Sequence, residues 1–248
     1  MKYLISILLI SSVLLSFKLT PTKNSEISIQ DIIGAWETTL TDDNGQTWTA
    51  TTIITEEHIS VAFYNVNQKE FFGTAGGYYT LNDNSMTLTT EFNTVDKSKV
   101  GQTETSKLKL EGNTLKVNDN PEQWKRVDDG SPGSLYGAWL FTGRERDGVM
   151  QPYTPGERKT MKILSGTRFQ WIAYHTGTGD FMGTGGGTYT AVNGKYVENI
   201  EFFSRNKDRV GASLEFEFKI DGNEWHHSGL NSRGEPLYEM WTNRKAID

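Results

Sequence analysis

Phe181-Met-Gly-Thr-Gly-Gly-Gly-Thr-Tyr-Thr190, followed by Glu201-Phe-Phe-Ser-Arg-Asn-Lys-Asp-Arg-Val-Gly211, repeats an earlier pair of segments, Phe71-Phe-Gly-Thr-Ala-Gly-Gly-Tyr-Tyr-Thr80 and Glu91-Phe-Asn-Thr-Val-Asp-Lys-Ser-Lys-Val-Gly101. The distance from Gly73 to Gly101 is 28 residues, as is that from Gly183 to Gly211. Self-similarity at a fixed internal distance marks a repeated supersecondary plan, so the chain reads as a tandem duplication.

Outward from these segments, period-two alternation and turn clusters predict strands near 35–41, 46–55, 58–66, 73–81, 85–93, 102–110, 114–118 and 122–127. The second copy gives counterparts near 138–146, 158–164, 167–175, 184–191, 195–204, 209–220, 223–229 and 236–244. Turns such as Asp42-Asp43-Asn44-Gly45 and Glu111-Gly112-Asn113 carry residues that tolerate positive φ or form Asx turns. Eight short strands per copy without a long helix predict an all-β protein of two small eight-stranded up-and-down barrels. The copies meet at a polar Gly- and Pro-containing stretch, which sets the expected organisation: a leader over 1–24, barrel 1 over 28–127, a linker over 128–134 and barrel 2 over 135–248. Sixteen strands could also close one large barrel, but both copies begin and end alike, which argues for two closures.

Those ends carry a family resemblance. Gly34-Ala35-Trp36 and Gly137-Ala138-Trp139 each follow a short turn and enter a first strand, and Arg126 and Arg244 stand near the last strands. The chain thereby resembles the lipocalin, or calycin, superfamily. The resemblance implies that Trp36 and Trp139 plug one end of each barrel, that Arg126 and Arg244 pack across them, and that each cup holds a small ligand. Arg126 stands two residues after Trp124, whereas Arg244 stands three after Trp241. The second copy is also similar to uncharacterised secreted bacterial lipocalin-like proteins, a resemblance that implies fold and no activity.

Alternation assigns the faces. Inward sets are Ile59, Val61, Phe63 and Asn65 against Phe169, Trp171, Ala173 and His175; Met86, Leu88, Thr90 and Phe92 against Tyr196, Glu198, Ile200 and Phe202; and Leu115 and Val117 against Trp225 and His227. The second copy exchanges apolar positions for polar ones, with Glu198 for Leu88 and His227 for Val117. A polar group inside a barrel costs about 1–3 kcal/mol unless it is partnered. The exchange therefore points to a polar-tipped aromatic pocket in barrel 2, with Trp171, His175, Tyr189, Glu198, Trp225 and His227 as candidate ligand contacts and barrel 1 as its structural companion. Each of these polar residues has a plainer reading as a hydrogen-bonded or solvated strand residue.

The other constellations carry less chemistry. His226 and His227 point to opposite faces of a strand and cannot chelate together, and His175 and Glu198 fall towards opposite rims, so no metal site is expected. The glycine-rich segments at Gly73 and Gly183 lead into strands rather than helix N-termini, and read as barrel corners rather than phosphate loops. Glu201, Arg205, Asp208 and Arg209, with Glu91, Asp96, Lys97 and Lys99 in the first copy, read as a salt-bridged turn or a partner-facing rim. No paired carboxylates across a groove and no activated nucleophile are recognisable, so no catalytic residue and no cofactor are assigned.

Composition bounds the partners. A net charge of -6 with interspersed signs disfavours nucleic acid and anionic membranes. The Met-Lys start and the apolar run from Tyr3 to Phe17 predict export, either by a cleaved signal or on an uncleaved anchor, with no membrane insertion of the mature protein. Three function classes compete: a small-molecule binder, an envelope interaction module with filled barrels and a protein partner, and a calycin-type enzyme.

Overall fold

The computed structural model describes residues 26–131, 133–230 and 234–247, leaving the expected leader outside the described residues. After a single helical turn, α1 (Ile29–Ile32), the first copy forms β1 (Gly34–Thr41), β2 (Thr47–Ile54), β3 (His58–Asn65), β4 (Glu70–Asn82), β5 (Ser85–Asn93), β6 (Thr103–Glu111), β7 (Thr114–Val117) and β8 (Trp124–Asp128). The second forms β9 (Gly137–Arg146), β10 (Val149–Pro152), β11 (Arg158–Leu164), β12 (Arg168–His175), β13 (Phe181–Val192), β14 (Lys195–Phe203), β15 (Ser213–Asp221), β16 (Glu224–Leu230) and β17 (Pro236–Asn243). Each copy closes as an eight-stranded antiparallel barrel, by β1 on β8 and by β9 on β17. The hairpin strand β10 is additional and pairs with β9 outside the second closure. β15 starts later than the alternation predicts, because Lys207–Arg209 forms a 3-10 turn whose Asn206 side chain accepts the Asp208 N–H.

Both barrels are plugged alike. The buried indoles of Trp36 and Trp139 each donate Nε1–H to the carbonyl four residues earlier, Ile32 at 2.8 Å and Leu135 at 3.0 Å. Gly34 and Gly137 precede them at positive φ, and a Cβ on Gly34 would lie 2.1 Å from the Asp128 carbonyl oxygen, so glycine is required there.

The equivalent glycine corners decide how the barrels meet. β5 and β14 each carry one extra residue where they pass Gly76/Gly77 and Gly186/Gly187. A Cβ on Gly77 or Gly187 would lie 2.0 Å from the Thr89 carbonyl or 2.1 Å from that of Asn199. The extra residues are Glu91 and Glu201, and a bulge of this kind reverses the facing of whatever follows. Phe92 and Phe202, expected inside the cups, therefore turn outward. They pack on the other barrel, Phe92 on Tyr174 with ring centres 5.0 Å apart and Phe202 on Tyr64 at 4.7 Å.

The resulting interface uses the same positions from each copy, as in a symmetric dimer. Tyr64 donates its hydroxyl to Glu201 at 2.9 Å, and Tyr174 donates to Glu91 at 3.0 Å. Each carboxylate also meets an arginine of barrel 2. Arg168 holds Glu201 at 2.9 Å and Glu37 at 2.7 Å, and Arg244 holds Glu91 through two bonds of 2.7 and 3.0 Å. Ile53 joins Leu140, Met161, Ile163 and Ile172 in an apolar layer between the barrels. The glutamates expected in a turn cluster thus belong to the interface. Burial opposes ionisation of Glu91, but Arg244 outweighs it and holds the carboxyl below its ordinary value.

Removing one partner of a buried ion pair costs about 3–5 kcal/mol, whereas replacing both with apolar residues is often near neutral. Arg244→Leu should therefore lower the denaturation midpoint strongly, and Glu91→Leu/Arg244→Leu should recover most of the loss. A single variant as stable as wild type in guanidinium titrations would show that the pair does not hold the barrels together.

Candidate functional site

The two interiors present the same positions with different side-chain volumes. In barrel 1 a cavity of about 300 Å³ is enclosed by Ile54, Ile59, Val61, Leu88, Leu115 and Val117 above the Trp36 plug, with Trp124 on one wall. Glu104 and Ser106 are its polar lining towards β6 and, with Thr52, the non-apolar groups that it offers. Arg126 lies with its guanidinium 4.1 Å from the Trp36 ring centre and donates to the Ile33 carbonyl at 3.0 Å, closing the plugged end.

In barrel 2 the equivalent space is filled. The counterparts of Thr52, Met86, Leu88, Leu115 and Val117 are Lys162, Tyr196, Glu198, Trp225 and His227, the aromatic ones far larger than the residues they replace. Lys162 pairs with Glu198 at 2.9 Å, both nearly buried. Its ammonium sits 4.7 Å from the Trp225 ring centre and 5.1 Å from those of Tyr196 and Trp241, an aromatic box whose occupant is a side chain of the same barrel. His227 packs against Phe216 at 4.3 Å and Trp225 at 5.5 Å. Glu198, Trp225 and His227 thus pack as buried residues of a filled interior, and the open lumen lies in barrel 1. Alternation reports which side chains enter a barrel. It does not report whether they leave room.

The remaining candidates separate. Tyr189 is buried and donates to the Ser165 carbonyl, as Tyr79 donates to that of Thr55 in barrel 1, so it braces a strand end in both copies. Trp171 faces inward, its ring in edge contact with Phe203 at 5.5 Å. His175 sits at the β12–β13 turn, where Nδ1 accepts the N–H groups of Gly177 and Thr178 at 3.2 Å each. His226 lies on the other face of β16 beside the Tyr238 hydroxyl at 3.0 Å. Arg244 does not cover Trp139. The β9–β17 register places Asn243 opposite Trp139, where barrel 1 has Arg126 opposite Trp36. One residue further along, Arg244 emerges on the other side and meets Glu91.

Towards the mouth of barrel 2 the polar column continues. Glu239 lies 3.6 Å from His227 Nδ1 and accepts a hydrogen bond from Arg144. Burial, reinforced by the Lys162 charge, pushes the His227 pKa below its ordinary value. Burial opposes the Glu239 carboxylate too, but His227, Lys162 and Arg144 together bring its pKa down to about 2.

Sequence comparison with protein-family models gave no match, and comparison with curated proteins gave no relative.

The two shifts fix the sign of a pH response. Below about 6.5 the unfolded chain protonates His227 while the folded one resists, so stability falls. The contribution of Glu239 is complete above about 4.5 and is lost as pH falls towards 2. Urea midpoints of the wild type should therefore decline from neutral pH downward. In His227→Gln the part of the decline between pH 6.5 and 5 should flatten. An unchanged profile would remove His227 as its source.

Proposed function

We propose that the protein is an exported lipocalin-like binding protein whose first barrel holds a small, largely apolar molecule. The observation that carries this reading is the cavity of about 300 Å³ in barrel 1, apolar except for Thr52, Glu104 and Ser106. Its size is at the lower end of that of small-molecule pockets, and a few polar groups in an apolar lining are what orients a ligand. A molecule with an apolar body and one hydroxyl or amine fits, since Glu104 offers an acceptor. The plug by Trp36 and Arg126 makes the cup blind-ended, so entry and exit share the open rim.

The second barrel fits the role of a scaffold in this reading. Its interior is occupied by its own side chains, and its outer face completes the buried interface against barrel 1. That is part of what a filled interaction module would have, and it is confined to one copy. Export rests on the apolar N-terminal run. Among the described residues no helix is long and apolar enough to cross a membrane.

The neutral fluorophore N-phenyl-1-naphthylamine is a suitable probe. Wild type should enhance its emission saturably, and Leu88→Trp, which fills the cavity from its wall, should weaken binding at least tenfold while melting near wild type. Phe72→Ser, at an exposed position (62% accessible), should leave binding unchanged. Equal binding by wild type and Leu88→Trp would place the probe elsewhere and remove the reading.

A further inference from the structure

The mouth of barrel 2 is formed by residues that barrel 1 lacks. Trp36 and Trp139 are 103 residues apart while Gly73 and Gly183 are 110 apart, so the second copy has gained seven residues in between. Together with the longer β9, they form β10 and the following loop, and a pocket of about 410 Å³ opens between that hairpin and the barrel rim.

Three arginines line it: Arg144 and Arg146 on β9, and Arg158 at the start of β11. Among the described residues Glu239 is the one acidic residue of the lining, and Arg144 already binds it. Arg146 and Arg158 have no acidic partner among the described residues. Two uncompensated guanidinium groups thus converge on one pocket in a chain whose net charge is -6. The Tyr153 hydroxyl donates to the Arg158 carbonyl at 2.8 Å and ties the loop down beside that arginine.

The rest of the wall is aromatic. Phe141 lies 5.9 Å from Tyr153 and 5.7 Å, edge-on, from Trp241. Trp241 is buried, lines the same pocket, and its Nε1–H has no hydrogen-bond partner among the described residues. Guanidinium forks bind carboxylates bidentately and more strongly than neutral groups, and the aromatic wall suits a flat ring. We infer that this mouth is a second binding site, selective for a small aromatic carboxylate. It is independent of the apolar cavity of barrel 1.

2-Naphthoate and its neutral amide, 2-naphthamide, distinguish charge recognition from simple apolar binding in calorimetric titrations of the full chain. The acid should bind at least tenfold more tightly than the amide, with an affinity that falls as salt rises. Arg146→Gln/Arg158→Gln, at exposed positions, should melt near wild type and reduce acid binding at least tenfold. Arg146→Lys/Arg158→Lys should restore part of it. The barrel 1 variant Leu88→Trp should bind naphthoate as wild type does, whatever becomes of the neutral fluorophore. No acid binding, equal affinity for acid and amide, or loss of acid binding in Leu88→Trp alone would each overturn the inference.

Discussion

The architecture turns on one extra residue in each of two strands. Inserting Glu91 and Glu201 beside Gly77 and Gly187 breaks the ladder, bends the strand and sends two consecutive side chains, a glutamate and a phenylalanine, to the outside. An outward Phe beside a carboxylate is a poor surface, and each copy covers it with the other copy's tyrosine. Each carboxylate receives a hydroxyl and an arginine, and for the buried Glu91 these offset the burial that opposes its ionisation. Without the bulges the two barrels would have no such surface to share.

Much of this was legible because strands announce themselves by period two and turns by their residues. The repeat, the eight strands per copy and the Gly-x-Trp entry into each first strand all follow from local pattern. The errors share one physical origin, a change of count by one. A single bulge residue inverted Phe92 and Phe202, and a single-residue offset after Trp241 sent Arg244 to Glu91 instead of Trp139. Because side chains alternate strictly, a shift of one residue is the largest error of facing there can be.

The site was less legible for a different reason. Reading Glu198, Trp225 and His227 as inward was right in direction, but a lumen is a difference between enclosed volume and the volume of its lining. Their sum, with Lys162 and Tyr196, exceeds what barrel 2 can leave empty, and the smaller Leu88, Leu115 and Val117 leave barrel 1 open. Lys162 was missed because its partner Glu198 is 36 residues away, a separation at which no local spacing rule operates. The β10 hairpin carries turn residues at Asp147 and Gly148, a signal that the length mismatch between copies could have exposed.

Comparing the copies with each other shows where drift has been allowed. Four interface positions carry the same residue on both sides, Tyr64 and Tyr174, Glu91 and Glu201, Phe92 and Phe202, Phe71 and Phe181, while Glu37 and Leu140, His58 and Arg168, and Ala62 and Ile172 differ. In the interior, Met86 and Tyr196, Leu88 and Glu198, Leu115 and Trp225, and Val117 and His227 all differ. A residue on a shared two-sided surface answers to both halves, so altering it damages two environments at once. A residue in a private lumen answers to its own half alone. The doubled chain thereby holds one half against the other while each lumen is fitted on its own terms, open above the plug in barrel 1 and packed with side chains in barrel 2.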